Sequence, residues 1–433
     1  MLKTYYKSLL KRRFFALISD TLILSTLNYA DQIIAVFMMI MFTKFCDMLL
    51  LGQYLTLAAF WTWGTVFVDF GFTPLIIKAS AEQKDIDLFI QQVLACKLIL
   101  LLLLFFVIYL LNSLIWKTSS AVVFCTATIV AVRGCSSTIS AFMAGKGKVL
   151  NVAACQVSAR VVLAALLWIP LVLEERLFYA ILTHLLVESL LLTALCRIMS
   201  DSRTLLQKSI IYLKPYNCLI YLKPDNYSWI KNRFKQSAEI GLTASSTALL
   251  LRQPLVWLER TAPEMAALYG VALRVIELLF IPFSSLIMIL FPEMVVRQDK
   301  FKLNLPLNFR QYFYSQLFFL IFIILIFIFP NFHIFKFISL PLTSLDASIP
   351  YIGLCSLFYL LFQISALILF FKNQLQIIIV AAIVGNAAQG LIFFFIIISE
   401  KRHMINHQFS IILTMFSFAL SVLVILFAIK RIK

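Results

Sequence analysis

The chain has 433 residues, of which 62% are hydrophobic and only 13% are charged. Soluble globular domains are about 45–50% apolar and about 25% charged, and one or two soluble cores could not bury so much apolar surface. With a mean hydropathy of +0.97, the composition excludes a soluble enzyme, a disordered scaffold and a secreted disulfide module. It indicates a polytopic membrane protein.

Twelve apolar stretches are long enough to cross a bilayer, which takes about 17–25 helical residues. Continuous runs such as residues 317–330, without the alternation of a membrane β-barrel, favour helices. In chain order the predicted spans are residues 14–43, 49–77, 89–111, 119–143, 151–173, 178–196, 237–258, 265–291, 312–329, 350–371, 375–398 and 409–429. We therefore predict an all-α membrane protein of about twelve transmembrane helices in two six-helix lobes.

The basic residues are distributed unevenly over this pattern of spans. If the N-terminus is cytoplasmic, 25 of the 37 Lys and Arg residues fall in the two tails and the cytoplasmic loops, and seven fall in outer loops. This bias predicts that both termini are cytoplasmic. The pI of about 9.6 could also indicate nucleic-acid binding, but the charge follows the topology closely, so we predict no nucleic-acid partner.

A polar segment divides the spans into two groups of six. It contains seven basic residues between Arg203 and Lys235, which suits either a plain solvated linker or one that lies on anionic lipids. We predict an N-terminal lobe over residues 1–200, a basic cytoplasmic linker over 201–235 and a C-terminal lobe over 236–433. In each half the second helix begins near a Tyr and ends at a Pro, a faint repeat typical of transporters that rock two lobes around a central site.

Five basic residues lie within predicted spans, where a central Arg costs about 2.5–3.5 kcal/mol on insertion scales. They are Lys97, Arg133, Arg160, Arg252 and Arg274. Because such groups must face protein or water, we predict that they line a central cavity and bind an anionic substrate. Lys97 could instead extend to the nearby membrane surface, Arg274 could pair with Glu277 three residues on, and Pro254 is expected to kink the helix beside Arg252.

Four acidic residues within the spans are candidates either for ion coupling or for neutralising the basic groups. They are Asp31, Asp69, Glu188 and Glu277. His184 stands one helical turn before Glu188, a spacing that suits a proton relay or an ordinary hydrogen bond. Since the sequence contains no catalytic triad pattern, phosphate-binding loop or convincing metal-ligand spacing, we predict that the protein is not an enzyme and holds no cofactor or metal.

Several short motifs carry a resemblance to a known family. GQYLTLA (52–58) opens the second predicted span and FGFTP (70–74) closes it, FMAGKGK (142–148) follows the fourth, and the eighth runs from ALYGVA (267–272) to FPE (291–293). Together with the length and the six-plus-six topology, these motifs resemble the O-antigen flippase (Wzx) family of polysaccharide transporters. That family lies within the wider superfamily that includes the MATE multidrug exporters.

The resemblance implies a MATE-like fold and the translocation of an undecaprenyl-diphosphate-linked oligosaccharide, an O-antigen or capsule repeat unit, across the bacterial inner membrane by alternating access. A cationic cavity suits this substrate because Arg binds phosphate oxygens in a bidentate manner. The implied partners are the lipid-linked oligosaccharide, membrane lipids, a proton or sodium coupling ion and the glycan polymerase machinery.

Two other functions are compatible with this composition. A MATE-like drug or cation antiporter would have the same architecture but would need an acidic or aromatic cavity for its cationic substrate. A membrane glycan polymerase would need a sizeable outer loop for its chemistry, and the longest predicted outer loop has fewer than about 20 residues, too few for a folded domain.

Overall fold

The computed structural model describes residues 2–82, 86–111, 119–169, 176–199, 227–281, 284–285, 321, 349–371, 374–398 and 407–432. Within these residues the regular elements are α-helices. They are α1 (Leu2–Phe45), α2 (Met48–Asp69), α3 (Phe72–Glu82), α4 (Ile86–Leu111), α5 (Ser120–Gly145), α6 (Val149–Leu166), α7 (Arg176–Met199), α8 (Tyr227–Thr261), α9 (Pro263–Leu279), α10 (Ile349–Phe371), α11 (Leu375–Ile398) and α12 (His407–Ile432). Residues 201–226 of the predicted linker and nearly all of the predicted span 312–329 lie outside the described residues.

Seven of the described helices are long and apolar enough to cross a membrane, or eight if the bent pair α2–α3 counts as one span. The seven segments are Ser19–Phe42, Leu88–Leu110, Ser120–Gly145, Val149–Leu166, Arg176–Ile198, Gln376–Phe393 and Phe409–Phe427. Helix α8 is more polar because it begins with the basic run of the predicted linker, and α9 has only 17 residues. The prediction of an all-helical, multi-pass membrane protein is confirmed, while the count of twelve spans stays a prediction.

The second predicted span is broken rather than continuous. Helices α2 and α3 meet at an angle of 54°, because Phe70 (φ 42°) and Gly71 (φ 76°) adopt the left-handed conformation between them. Asp69 stabilises the new helix start, since its carboxylate accepts hydrogen bonds from the Thr73 backbone N–H at 3.2 Å and the Thr73 hydroxyl at 2.9 Å. By contrast, α8 continues as a helix through Pro254.

Helix α2 contacts helices from both halves of the chain. It packs against α5 among the N-terminal helices and against α8 and α9 among the C-terminal helices. Its Trp61 side chain is completely buried at this junction. Because α2 contacts both groups, its side chains lie where the N-terminal and C-terminal helices meet.

Candidate functional site

A cavity of about 440 Å³ lies between the N-terminal helices α1, α2, α5, α6 and α7 and the C-terminal helices α8, α9 and α10. We call it the central cavity. Four arginines line it, each from a different helix: Arg133 on α5, Arg160 on α6, Arg252 on α8 and Arg274 on α9. The structure thus brings together four of the five basic residues that the sequence analysis placed at a central cavity.

One face of α2 forms part of the wall of the central cavity. Its lining residues recur every three or four positions, as expected for one side of a helix. They are Leu51, Tyr54, Leu55, Ala58, Trp61 and Thr62. These residues are not among the site residues predicted from the sequence. The spacing of the two large aromatic residues Tyr54 and Trp61, two helical turns apart, is the signal in the sequence that marks this face.

The two C-terminal arginines share one carboxylate. Nη2 of Arg252 donates to Oε1 of Glu277 at 2.7 Å, and Nη1 of Arg274 donates to Oε2 of the same side chain at 2.7 Å. We call these three residues the C-half cluster. Since two guanidinium groups face one carboxylate, the cluster carries one net positive charge. Its side chains remain between 13% and 25% exposed, so that charge is accessible from the cavity.

Arg133 belongs to a chain of polar contacts across three helices. Its Nη2 donates to Glu188 Oε1 at 2.6 Å and also lies 2.9 Å from His184 Nε2. His184 Nε2 is also 3.3 Å from Glu188 Oε1, and its Nδ1 is 3.2 Å from the Tyr54 hydroxyl. The ring of Trp61 lies 5.9 Å from the Arg133 guanidinium carbon, within cation–π range. Glu188 therefore neutralises Arg133, one of the two roles that the sequence left open for it.

Arg160 pairs with Asp31 on α1. Nε of Arg160 donates to Oδ1 of Asp31 at 3.0 Å, and the two side chains are 28% and 23% exposed. Among the described residues, the terminal Nη atoms of Arg160 have no hydrogen-bond acceptor. The side chain is therefore charge-paired at one end while its remaining donors are available to a ligand.

Lys97 lies apart from the central cavity, although the sequence analysis grouped it with the four arginines. Its Nζ is 2.8 Å from Asp69 Oδ1 and from Thr138 Oγ1, 3.0 Å from Ser137 Oγ and 3.2 Å from the Gly134 carbonyl oxygen. The side chain is only 5% exposed. The carboxylate that caps α3 thus holds the Lys97 amine inside the N-terminal half, away from the space between the halves.

Replacing Lys97 by methionine should destabilise the protein, because it leaves the carboxylate of Asp69 buried without its cation. Breaking one side of a buried ion pair costs about 3–5 kcal/mol. Thermal unfolding of the purified protein in detergent would measure the loss. The Lys97→Met variant that also carries Asp69→Asn is the matched control and should recover much of the stability. Equal melting temperatures for the wild type and the single variant would contradict this role.

The charges of the central cavity favour an anionic ligand. Four guanidinium groups line it, and three carboxylates pair with them, those of Asp31, Glu188 and Glu277. Planar guanidinium groups bind phosphate or carboxylate oxygens through parallel N–H···O bonds. In the part of the chain that the structure describes, no group of three His, Cys, Asp or Glu side chains could hold a metal ion. The four guanidinium groups make the cavity suited to binding an anion.

Part of the chain matches a protein family, and the whole fold is similar to several solved structures. Residues 17–211 match the family model described as polysaccharide biosynthesis protein, and no curated protein sequence matches the chain. An outward-facing multidrug resistance MATE family transporter of the MOP superfamily has a TM-score of 0.60 at 12% identity, over 96% of this chain and 95% of that chain. A MATE transporter in complex with MaL6 has a TM-score of 0.58 at 12% identity, over 96% of each chain.

A third similar structure is a MOP superfamily transporter from Pyrococcus furiosus Vc1 (DSM3638), with a TM-score of 0.59 at 12% identity over 95% of both chains. That transporter is described as having a binding pocket of reverse polarity, which suggests a different function for it. These likenesses show that the chain has the MATE fold. The match of residues 17–211 to the polysaccharide biosynthesis family supports the family resemblance seen in the sequence.

Proposed function

We propose that the protein is a flippase that carries an undecaprenyl-diphosphate-linked oligosaccharide, an O-antigen or capsule repeat unit, across the bacterial inner membrane. The observation that carries this proposal is the convergence of four arginines from four helices on one cavity between the two halves of the bundle. A diphosphate presents several anionic oxygens close together, which is the kind of ligand that paired guanidinium groups bind best.

The proposed mechanism is alternating access. The headgroup binds in the central cavity, and the two halves open in turn toward the cytoplasm and toward the outer side, while the lipid tail stays in the bilayer. Both termini are cytoplasmic in this proposal, and a proton or sodium gradient is the candidate energy source. The match of residues 17–211 to a polysaccharide biosynthesis family supports an oligosaccharide as the transported group.

A cation exporter is the second candidate function. The MATE fold itself and the aromatic side chains of Tyr54 and Tyr359 in the cavity wall favour it, because aromatic faces attract organic cations. The positive C-half cluster opposes it, since a cationic drug would be repelled there. The structural relative described as having a pocket of reverse polarity supports the use of cavity charge to distinguish the two functions.

Deletion of the gene in its bacterial host tests the proposal. We expect lipid-linked oligosaccharide to accumulate on the cytoplasmic side of the membrane and surface polysaccharide to disappear, and we expect both to return when the intact gene is restored. Extraction of the lipid-linked intermediates and staining of surface glycan would measure these changes. Unchanged surface glycan together with greater sensitivity to cationic drugs would favour the exporter instead.

A further inference from the structure

A second cavity, of about 450 Å³, lies entirely among the N-terminal helices α1, α2, α3, α5, α6 and α7. We call it the N-half cavity. Its volume falls within the range of about 300–1,000 Å³ that is usual for small-molecule sites. The residues that line both this cavity and the central cavity are Asn28, Asp31, Thr62, Arg133 and Arg160. The two cavities are therefore adjacent, and one elongated ligand could occupy both.

Hydroxyl groups line the N-half cavity. On α5, the side chains of Ser136, Ser137 and Ser140 follow Arg133 along one helix face. On α2, the hydroxyl groups of Thr62 and Thr65 line the same cavity. These two threonines donate their protons to carbonyl oxygens of their own helix, at 2.9 Å and 2.7 Å. Their lone pairs remain available, so the wall offers acceptors from α2 to the hydroxyl groups of a ligand.

Ser136 is the most buried of these three serines. Its residue is 7% exposed, and its Oγ is buried without a hydrogen-bond partner among the described residues. The polar face of α5 therefore continues from the cavity wall into the packed interior.

The charges of the N-half cavity cancel. The two cations that line it are Arg133 and Arg160, and each is paired with a carboxylate that also lines it, Glu188 and Asp31 respectively. The C-half cluster, by contrast, has one carboxylate for two arginines. Of these three charged groups, only the C-half cluster is left with a net positive charge.

We infer that the N-half cavity binds the uncharged sugar rings of the substrate while the C-half cluster binds its diphosphate. This inference rests on the proposed function and adds an orientation to it. Sugar hydroxyls match the serine and threonine oxygens, and the C–H faces of sugar rings match the partly exposed apolar side chains of Val66, Val149 and Val157 in the same wall. The substrate thus lies across both halves of the protein, with its sugars on the N-terminal side.

Two variants of the full-length protein in lipid nanodiscs test this orientation. The probes are undecaprenyl diphosphate without sugars and the undecaprenyl-diphosphate-linked oligosaccharide extracted from the host. Ser140→Phe fills the N-half cavity and should weaken binding of the sugar-bearing lipid by about tenfold or more, because the sugar loses several hydrogen bonds. It should leave binding of the sugar-free lipid unchanged. Arg252→Gln should weaken binding of both probes by a similar factor. Ser158→Phe, at an exposed position of α6, is the matched control and should change neither.

The outcomes separate the two proposals. If the wild type binds neither probe, the flippase proposal fails. If the wild type binds both probes but Ser140→Phe weakens neither, only the sugar site is overturned. If Ser140→Phe weakens binding of both probes equally, the milder variant Ser140→Ala decides, because it removes one hydroxyl group without filling the cavity. A selective loss of a few-fold for the sugar-bearing lipid, as expected for one hydrogen bond, supports the sugar site, and an equal or absent loss overturns it.

Discussion

An Arg252→Gln variant is expected to fold and insert normally and to lose most of its transport activity. The substitution removes the net positive charge of the C-half cluster, while Glu277 keeps its second partner, Arg274, at 2.7 Å. No carboxylate is left without a cation, so stability should change little. A hydrogen bond between charged groups contributes about 1.5–3 kcal/mol, so loss of this contact to the diphosphate should slow transport by roughly tenfold or more. Surface glycan and the melting temperature of the purified protein are the two measurements.

Two further variants show whether the loss of transport is due to the charge and geometry of Arg252 rather than to a loss of stability. Arg252→Lys keeps the charge but not the paired geometry, and it should restore part of the transport. Arg160→Gln removes the partner of Asp31, so it should lower the melting temperature more than Arg252→Gln does. Normal surface glycan in cells that carry only the Arg252→Gln protein would refute the role of the C-half cluster in binding the headgroup.

A Gly71→Ala substitution is expected to destabilise the protein strongly. Gly71 has φ 76°, and a side chain in this conformation costs about 1–2 kcal/mol. An added Cβ would also lie 2.6 Å from the backbone nitrogen of Gly241 and 2.7 Å from the backbone oxygen of Ser237. Both atoms belong to helix α8, so the clash can be relieved only by moving the α2–α3 break away from α8. We expect a total loss of several kcal/mol and a much lower melting temperature.

Gly147 provides the matched control for Gly71. It has the same φ of 76°, but an added Cβ there meets nothing within 4 Å. Gly147→Ala should therefore cost only the conformational penalty of about 1–2 kcal/mol, and cells that carry it should make normal surface glycan. If the two variants melted at the same temperature, the close backbone contact between the α2–α3 break and α8 would contribute nothing to stability.

The cost of charge in a membrane made the arginines predictable. Arg133, Arg160, Arg252 and Arg274 stood out because an arginine inside an apolar span must face protein or water, and the structure places all four at one cavity. The pair Arg274–Glu277 was also foreseen, because residues three apart lie on the same side of a helix. These inferences needed only local spacing and hydropathy.

The remaining ion pairs depend on how distant helices pack. Asp31 and Arg160 are 129 positions apart, and no local pattern indicates that α1 and α6 are neighbours. For the same reason, the location of Lys97 away from the central cavity does not follow from the sequence. Its partner Asp69 lies on another helix, at a break that hydropathy alone does not reveal. Phe70–Gly71 carries the local signal for that break, since a glycine after the last helical residue often ends a helix in the left-handed conformation.

The charge of the C-half cluster also determines how a membrane voltage acts on the protein. A voltage does work only on net charge that moves along the field, about 2.3 kcal/mol per elementary charge per 100 mV. The paired groups Arg133–Glu188, Arg160–Asp31 and Lys97–Asp69 contribute none. In the proposed cycle, the empty cluster is positive and the cluster with a bound diphosphate, which has a negative charge on each phosphate, is negative. A cytoplasm that is electrically negative would therefore push the loaded cluster outward and draw the empty cluster back. The same voltage thus favours both the outward movement and the return movement.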